Sequence, residues 1–564
     1  MTFRRTKFVD VELSHPIPNL RGLQDYATVR ILVRVGGTPV GFVTIRGIGD
    51  PIPAKDLRRL ILDELASPIM MRYAEAALAN GPLRAAGIPV QSLAHFPPGE
   101  NAAHFPPVTV AVCTRNRSED LSLCLNSLVQ IDYPNLDLIV VDNAPLDDST
   151  RRLVESKFPS VRYICEPRPG LDWARNRAVL AAKGEIVAYT DDDVVADPGW
   201  IKALVTRFND APNVMCVTGL VIPYEMETEA QELFERYGGF GRGFKRGWFR
   251  KPGRPSRGGH GKERSDEQPL GEEEKAVEKE LRYAYYGTGI FGTGCNMAYR
   301  RSFLEGVGGF DPALDVGTPT RGGGDLDMYF RVLREGHALA YEPSAIIRHR
   351  HRREREKLVT QIGSNGVGFF SYLLRITQKY PSERLPVARF ALWWLLAWDV
   401  KRLLKSFLKP GFFPRDLILA EFATAFQAPH ALRQSRARAA EIERDFPDEP
   451  VLKPTRSSFP PVVASGGKSS HGVRTVELTE PMQPLTDIIE FPTTLITVSL
   501  AGRILGQFEL VNAYRACGVL RLRDAIVSHC GEKLFTSDTG KPITPSDFRV
   551  ALADRIWQLE DNAT

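Results

Sequence analysis

The sequence has 564 residues, 43% of them hydrophobic and 25% charged, a composition typical of a soluble globular protein with more than one folded unit. The formal net charge of +5 is small for this length and argues against a general nucleic-acid-binding role. The seven cysteines include no C-x-x-C pair, which favours a reducing compartment over a disulfide framework. The first residues contain no apolar run, and the longest such run, residues 390–398, is too short to span a bilayer. We therefore expect a cytoplasmic protein without a signal peptide.

Two similar patterns flank the centre of the chain. Residues 29–45 alternate in polarity around a glycine turn, as in a β-hairpin, and apolar residues at helical spacing follow. Residues 495–510 and the segment after them repeat this pattern without a gap, so that Gly37 aligns with Gly502. The pattern predicts a duplicated ββα module, although two ordinary hairpins could coincide in this way. The predicted modules are residues 1–94 and 487–564.

The segments between these modules and the centre differ in composition from both. Proline, serine and glycine are frequent in two of them, which predicts linkers at residues 95–107 and 445–486. Residues 356–444 predict a helical extension. Residues 238–280 are rich in glycine, arginine and glutamate, which predicts a flexible insertion, either a lid over a bound substrate or a loop without a role.

Residues 108–355 alternate short runs of valine and isoleucine with amphipathic segments. This alternation is typical of an α/β domain with a mostly parallel sheet. The carboxyl ends of parallel strands share one edge of the sheet, where ligands commonly bind. The predicted strands are residues 108–113, 136–141, 161–165 and 186–190, and the predicted helices are residues 121–128, 150–156 and 173–182.

Polar residues follow several of these predicted elements. A single polar residue at a strand end is more often a cap than a ligand, but several on one edge favour a ligand site. The carboxylate of Asp142 suits a base or ribose, and arginines suit phosphate. The candidate nucleotide-binding residues are Thr114, Arg115, Arg117, Asp142, Arg175 and Asn176.

Three consecutive aspartates, Asp191, Asp192 and Asp193, close the apolar run that ends at residue 190. Adjacent like charges repel, and aspartate is a poor strand residue, so a cation would make this arrangement tolerable. Asp191 and Asp193 lie two apart on an extended backbone and can therefore share one divalent ion through their oxygens. The alternative is a solvated turn that leads into a helix.

These pieces occur in the order and spacing of one known family. The matching motifs are Val112–Arg117, Val140–Asn143, Pro169–Asn176, Asp191–Asp193, Pro198–Trp200, Gly292–Ala298, Gly308–Asp311 and Gly322–Met328, with Arg331 one turn later. On these motifs, residues 107–355 resemble a family 2 glycosyltransferase with a GT-A fold.

The resemblance implies transfer of a sugar from a nucleotide diphosphate sugar to an acceptor hydroxyl with inversion. Such a protein would work in cell-surface polysaccharide or glycoconjugate synthesis, with a saccharide or a lipid-linked acceptor. The resemblance further implies that Asp191 and Asp193 bind Mn²⁺ or Mg²⁺, that Asp192 belongs to the nucleotide-sugar site, and that the cation neutralises the departing diphosphate.

Asp325 matches the position of the catalytic base in this family. The sequence departs from the pattern beside it, because the usual Glu-Asp pair is Gly324 and Asp325 here. Asp327 is then a substitute candidate, and the alternative for Asp325 is a charge that favours a helix N-terminus. The segment with Cys295 and Asn296 should line the acceptor side.

Two further segments each allow two interpretations. His349 follows an apolar run and predicts a further metal ligand, unless residues 347–353 form a solvated basic segment. The tryptophans of residues 390–398 precede Lys401 and Lys405, as in a helix that lies on an anionic bilayer, although such a helix more often packs on its own domain. The first interpretation of these tryptophans predicts peripheral contact with the inner face of the membrane, and the second predicts none.

Two other functions compete with glycosyl transfer. A nucleotidyl transferase would have a glycine-rich phosphate loop after the first strand, and residues 114–117 do not form one. A non-catalytic module that binds nucleotide sugars or glycans, with a degenerate glycosyltransferase fold, is the main alternative because the glutamate before Asp325 is missing.

Overall fold

The computed structural model describes residues 3–97, 104–251, 283–455 and 471–561, apart from positions 4, 48, 95, 410, 513 and 538. The N-terminal module is a three-stranded sheet covered by one long helix. β2 pairs in parallel with β1 and antiparallel with β3. The elements are β1 (Thr6–Glu12), β2 (Thr28–Val35), β3 (Thr38–Arg46), α1 (Ala54–Ala79) and β4 (Ile88–Pro89).

The central domain is a mixed α/β domain, as the sequence predicts. Its first half contains β5 (Val108–Thr114), α2 (Ser118–Leu128), β6 (Leu136–Asn143), α3 (Ser149–Lys157), β7 (Arg162–Glu166), α4 (Leu171–Ala181), β8 (Ile186–Asp191), β9 (Val194–Ala196) and α5 (Trp200–Asp210). Its second half contains β10 (Val214–Pro223), α6 (Glu229–Tyr237), β11 (Gly247–Phe249), β12 (Met297–Arg300), α7 (Arg301–Val307), α8 (Gly324–Arg334) and β13 (Ala338–His349).

The central sheet has the strand order β11-β13-β10-β12-β8-β5-β6-β7, and β9 pairs with β13 beside this path. The pairs of β5 with β6 and β8, of β6 with β7, and of β10 with β13 are parallel. Alternate residues of β6 enter different cores on the two faces of the sheet, Val140 on one and Val141 on the other. This is why the strands are continuous apolar runs, and why β5, β6 and β8 deliver polar residues to one edge.

Helices fill the segment that follows the central domain. The first of these helices, Arg355–Lys379, packs against α8 and against later helices of the segment. A π-helical turn, Leu395–Val400, joins the second helix to the third. Within the described residues, no helix combines the length and apolar character that crossing a bilayer requires. The helices are α9 (Arg355–Lys379), α10 (Arg384–Trp394), α11 (Lys401–Leu408), α12 (Arg415–Ala425) and α13 (Ala428–Asp445).

The C-terminal module has the same arrangement as the N-terminal one. β15 pairs in parallel with β14 and antiparallel with β16. In the N-terminal module, Glu12 accepts hydrogen bonds from the hairpin nitrogens of Gly36 and Gly37, and in the C-terminal module Glu477 accepts them from Ala501 and Gly502. The elements are β14 (Gly472–Glu477), β15 (Thr493–Leu500), β16 (Arg503–Val511), α14 (Val519–Cys530), β17 (Phe535–Thr536) and α15 (Pro545–Asp561).

The two modules share one hydrophobic core. Ile61 and Met70 of α1 belong to the same buried cluster as Ile526 of α14 and Ile556 of α15. The short strands β4 and β17, one from each module, pair in parallel. The modules therefore form a single unit beside the central domain, although their sequences are far apart.

Two strands lie inside segments that the sequence predicts as a linker and as a flexible insertion. β14 lies inside the predicted linker 445–486, because its parallel pairing with β15 supplies hydrogen bonds that local composition does not reveal. β11 lies inside the predicted flexible insertion 238–280, where it pairs antiparallel with β13. The remaining part of that insertion, residues 252–280, lies outside the described residues. The lid over a bound substrate therefore stays a prediction.

A buried cluster of charges joins the central domain to the terminal unit. Glu342 of β13 accepts hydrogen bonds from Arg207 (2.5 Å) and Arg246 (2.8 Å). Both arginines also reach Asp524 of α14 at 3.3 Å, and Arg246 pairs with Glu75 of α1. Burial opposes the ionisation of Glu342, but the two arginines outweigh it and lower the pKa of this carboxyl to about 2.

We expect Glu342→Gln to lower the free energy of unfolding by about 3 kcal/mol at pH 7, because it leaves two buried arginines short of one negative charge. The carboxyl is more acidic in the folded state than its usual pKa of 4.5, so its contribution is complete above that value. It is lost as the pH falls towards 2. Urea denaturation at several pH values measures this, and Glu335→Gln, at an exposed position, is the control. Equal stability of the two variants at pH 7 would contradict the prediction.

Candidate active site

The aspartate triplet forms the turn between β8 and β9. The carboxylate of Asp192 accepts hydrogen bonds from Thr114 Oγ1 at 2.7 Å and from Arg117 Nη1 at 2.5 Å. Arg117 Nη2 also lies 3.0 Å from Asp193 Oδ2. Both oxygens of Asp192 are thus bound by the protein itself. In this structure the three side chains hold the turn, and their assignment to the nucleotide-sugar site, Thr114, Arg117 and Asp192, stays a prediction.

Asp191, Asp193 and His349 form a cluster that could hold a metal ion. One ligand atom from each residue can be chosen so that all three atoms lie within 4.8 Å of one another. His349 Nε2 lies 3.2 Å from Asp193 Oδ1. The pairing of β9 with β13 sets His349 opposite Val194, directly after Asp193, and so creates this proximity. Two carboxylates and one imidazole are a donor set that suits Mn²⁺, and the carboxylates also suit Mg²⁺.

The charges in this cluster compensate one another. Burial and the neighbouring Asp193 raise the pKa of Asp191. Burial opposes ionisation of Asp193 too, but His349 and Arg117 outweigh it and lower its pKa well below the usual range. Burial lowers the pKa of His349, but Asp193 outweighs it and raises the pKa overall. The negative charge of the two carboxylates therefore attracts a cation. When no metal is bound, protonation of His349 offsets part of this negative charge.

His349 is oriented by a chain of hydrogen bonds that the sequence does not reveal. Its Nδ1 lies 3.1 Å from His351 Nδ1, and His351 Nε2 lies 3.0 Å from Glu235 Oε1 of α6. Phe240 packs edge-on against both imidazole rings. A proton on His349 Nδ1, donated to His351, leaves Nε2 free as a ligand, which is the usual support of a metal-binding histidine.

Asp325 lies in the first turn of α8. Its Oδ2 accepts a hydrogen bond from the backbone nitrogen of Gly294 at 3.0 Å, and its Oδ1 accepts one from the nitrogen of Leu326 at 2.9 Å. The carboxylate is half-buried, so one side of it remains open to a substrate. The guanidinium of Arg175 interacts electrostatically with both Asp325 and Asp191. Arg175 thus couples the candidate base electrostatically to Asp191 of the cluster.

Asp327, the second candidate base, lies in a buried network of ion pairs. Its side chain is fully buried and pairs with Arg331 at 2.8 Å and Arg375 at 3.2 Å. The pair with Arg331 lies within α8, and the pair with Arg375 ties α8 to α9. The alternative that Asp327 replaces Asp325 as a base stays a prediction, and the enclosure of its carboxylate by two arginines does not favour it.

Three other predicted site residues also serve the fold. The amide of Asn176 exchanges hydrogen bonds with the backbone of Phe310, at 2.9 and 2.7 Å. The amide of Asn296 accepts from Trp200 Nε1 at 2.8 Å and donates to two backbone carbonyls of β10 and β13. Cys295 is 3% exposed, and burial raises the pKa of its thiol. The assignments of Asn176 to the donor site and of Cys295 and Asn296 to the acceptor side stay predictions, and the contacts seen here are structural ones.

Asp142 and Arg115 lie at the same sheet edge in different environments. Asp142, near the end of β6, is fully buried, and Tyr163 donates a hydrogen bond to its Oδ2 at 3.0 Å. Burial raises the pKa of this carboxyl. Arg115 is exposed beyond β5. Both remain predictions as nucleotide ligands, Asp142 for a polar group of the base or ribose and Arg115 for phosphate.

Comparison with known families identifies this domain. Residues 109–308 match the family described as Glycosyl transferase family 2, and they contain β5 to β8, the aspartate triplet and Arg175. This part of the protein is a family 2 glycosyltransferase domain. Its mixed sheet with a parallel half is the GT-A arrangement expected from the sequence.

Several known proteins resemble the family 2 domain and its surroundings. The glucosyl-dolichyl phosphate glucuronosyltransferase of Haloferax volcanii is 29% identical over 21% of this chain and 38% of its own length. The pre-mycofactocin glycosyltransferase of Mycobacterium tuberculosis is 24% identical over 43% of each chain. The chain thus spans about two fifths of these relatives. A mannosyltransferase structure from Pyrobaculum calidifontis, in complex with GDP-Man and Mn²⁺, has a TM-score of 0.31 and 17% identity, over 69% of this chain and 87% of that one.

We expect Asp193→Ala to weaken Mn²⁺ binding by at least about tenfold, because it removes one of three ligands and the carboxylate that orients His349. The affinity for UDP or GDP should fall in Mn²⁺ and stay unchanged in EDTA. Isothermal titration calorimetry measures both quantities, and Asp148→Ala, at an exposed position, is the control. Equal nucleotide affinity of the variant and the wild type in Mn²⁺ would refute the metal assignment.

Proposed function

We propose that this protein is a metal-dependent, inverting glycosyltransferase that moves a sugar from a nucleotide diphosphate sugar to an acceptor hydroxyl. The observation that carries the proposal is the cluster of Asp191, Asp193 and His349, together with Arg175, which interacts electrostatically with both Asp191 and the half-buried Asp325. A cation ligated by this cluster would neutralise the charge that the diphosphate gains on departure. An inverting displacement needs a diphosphate site and a base, and both groups then interact with the same arginine.

The chain's own residues account for the remaining steps. The acceptor oxygen forms a bond to the sugar carbon while the bond from that carbon to the diphosphate breaks, and Asp325 takes the acceptor proton. Hydrogen bonds from Gly294 and Leu326 fix the orientation of the Asp325 carboxylate. Arg175 contributes a fixed positive charge near the diphosphate, and it needs no reorganisation because it is buried and paired.

We expect Asp325→Asn to reduce turnover by at least about a hundredfold while donor affinity stays within about twofold, because a base acts on the acceptor and not on the diphosphate. Release of nucleotide diphosphate, measured for a panel of nucleotide sugars with Mn²⁺, reports turnover. Calorimetry reports donor binding, and Asp445→Asn, at an exposed helix end, is the control. If the wild type binds nucleotide sugars but releases no nucleotide with any donor, the non-catalytic module is the correct interpretation.

We further propose that the acceptor is carried by a lipid and that the protein works at the cytoplasmic face of a membrane, in surface glycan or glycoconjugate synthesis. The support is an exposed apolar stripe along α10 and α11. Every exposed charged side chain from residue 384 to residue 409 is basic, whereas Asp399 is buried. An apolar stripe with only cations beside it fits an anionic bilayer. The stripe consists of Leu385, Leu392, Trp393, Leu396, Leu404, Phe407 and Leu408.

The stripe lies close to the proposed acceptor site. The ring of Trp393 packs on Tyr283, with ring centres 4.2 Å apart, in the segment that leads to Gly294. In the same segment, Thr288 Oγ1 donates a hydrogen bond to the carbonyl of Leu326, next to Asp325. A lipid-linked sugar could therefore extend from a bilayer under the stripe to the base. The name of the Haloferax relative, which contains glucosyl-dolichyl phosphate, agrees with this kind of acceptor.

We expect the protein to sediment with vesicles that contain phosphatidylglycerol and not with pure phosphatidylcholine vesicles. Leu392→Gln with Leu396→Gln should weaken this binding by at least about tenfold, because each leucine loses apolar burial. Leu146→Gln with Ile504→Gln is the control, since both leucine and isoleucine are exposed outside the stripe. A stripe that instead pairs two copies of the chain would give a dimer in sedimentation velocity and no vesicle binding.

A further inference from the structure

The position of the missing glutamate is filled by a different carboxylate. A Cβ atom built on Gly324 would lie 2.1 Å from Asp172 Oδ2 and 2.9 Å from Asp172 Cγ. No side chain fits at position 324 while Asp172 keeps this conformation. Asp172 belongs to α4, so a residue from a distant part of the chain brings its carboxyl group to the start of α8, next to Asp325.

The surroundings of Asp172 leave part of its carboxylate unused by the fold. Its side chain is fully buried, and Oδ1 accepts a hydrogen bond from Arg175 Nη1 at 3.0 Å. Among the described residues, Oδ2 has no hydrogen-bond partner. Its backbone nitrogen donates to Asp315 Oδ2 at 2.7 Å, a second buried carboxylate. A buried carboxylate with a free oxygen beside like charges costs stability, which an apolar residue or an amide would not.

Arg175 gives this arrangement its significance. The attractions that act on its guanidinium come first from Asp172 and then from Asp325 and Asp191. A Cβ atom built on Gly294 would lie 2.8 Å from Arg175 Nη2 and 3.3 Å from Asp325 Oδ2, so these two groups approach the same point. If Asp172 did not hold Nη1, the guanidinium would be free to pair with Asp325. Such a pair would take up the oxygen that has to accept a proton.

We propose that Asp172 is a positioning residue for glycosyl transfer, which supplies from α4 the second carboxylate that the family pattern places before the base. It holds Arg175 towards the metal cluster and leaves Asp325 free to accept the proton of the acceptor. This inference rests on the proposed function. It also explains why position 324 is glycine in this chain, because the volume of a side chain there is already taken.

The test is an exchange of the two positions. Asp172→Ala should lower kcat by at least about tenfold, and any loss of affinity for nucleotide diphosphate in Mn²⁺ should be smaller than this, because the main effect passes through the base. Gly324→Glu alone should lower both the melting temperature and kcat through the collision with Asp172. The double variant Asp172→Ala, Gly324→Glu should regain the melting temperature and at least about tenfold of kcat over either single variant, a coupling expected only of groups in contact.

A matched double variant separates the effect of relieving the collision from the effect of restoring a carboxylate. Asp172→Ala with Gly324→Ala should regain the melting temperature, because the collision is gone, but it should not regain kcat, because no carboxylate returns. The inference is overturned if Asp172→Asn keeps wild-type kcat. It is also overturned if the losses of melting temperature and of kcat in the double variant Asp172→Ala, Gly324→Glu are as large as the summed losses of its two single variants. Absence of turnover in the wild type refutes the proposed function alone, and the melting temperatures of the four variants then still decide whether Asp172 occupies the place of a side chain at position 324.

Discussion

Repulsion among three adjacent carboxylates is the constraint on which this site depends. The three aspartates form a turn, in which different sets of partners relieve the repulsion of the middle carboxylate and of the outer two. Thr114 and Arg117 neutralise the middle one from the end of β5. The outer two share the remaining space with His349, which β13 supplies through its pairing with β9. The position of β13 is thus as important for the metal cluster as the triplet itself.

The sequence predicts the sheet and the metal pair because both depend on local patterns. Continuous apolar strands and the spacing of two aspartates are visible in a short window of residues. The structural contacts of three predicted site residues, Asn176, Asn296 and Asp327, are not visible in the sequence, because their partners are far away in the chain. Only the folded structure shows that Phe310, Trp200 and Arg375 engage them.

The same limit explains the residues that the sequence did not reveal. Glu235 and His351 orient His349 through hydrogen bonds that cross from α6 to the end of β13. Asp172 reaches α8 from α4, and no spacing rule connects the two. β14 lies in a segment whose proline, serine and glycine predict a linker, whereas its partner strand β15 determines its conformation. Pairing across the chain, and not local preference, decides these cases.

The common core of the two terminal modules has a consequence for synthesis on the ribosome. The apolar face of α1 is made early, but the helices α14 and α15 that complete its core come from the last part of the described sequence. The central domain can fold during this interval, since its strands come from one continuous stretch. The first module must remain partly uncovered until then. Factors that shield apolar surfaces on nascent chains should therefore engage this protein at α1 for most of its translation.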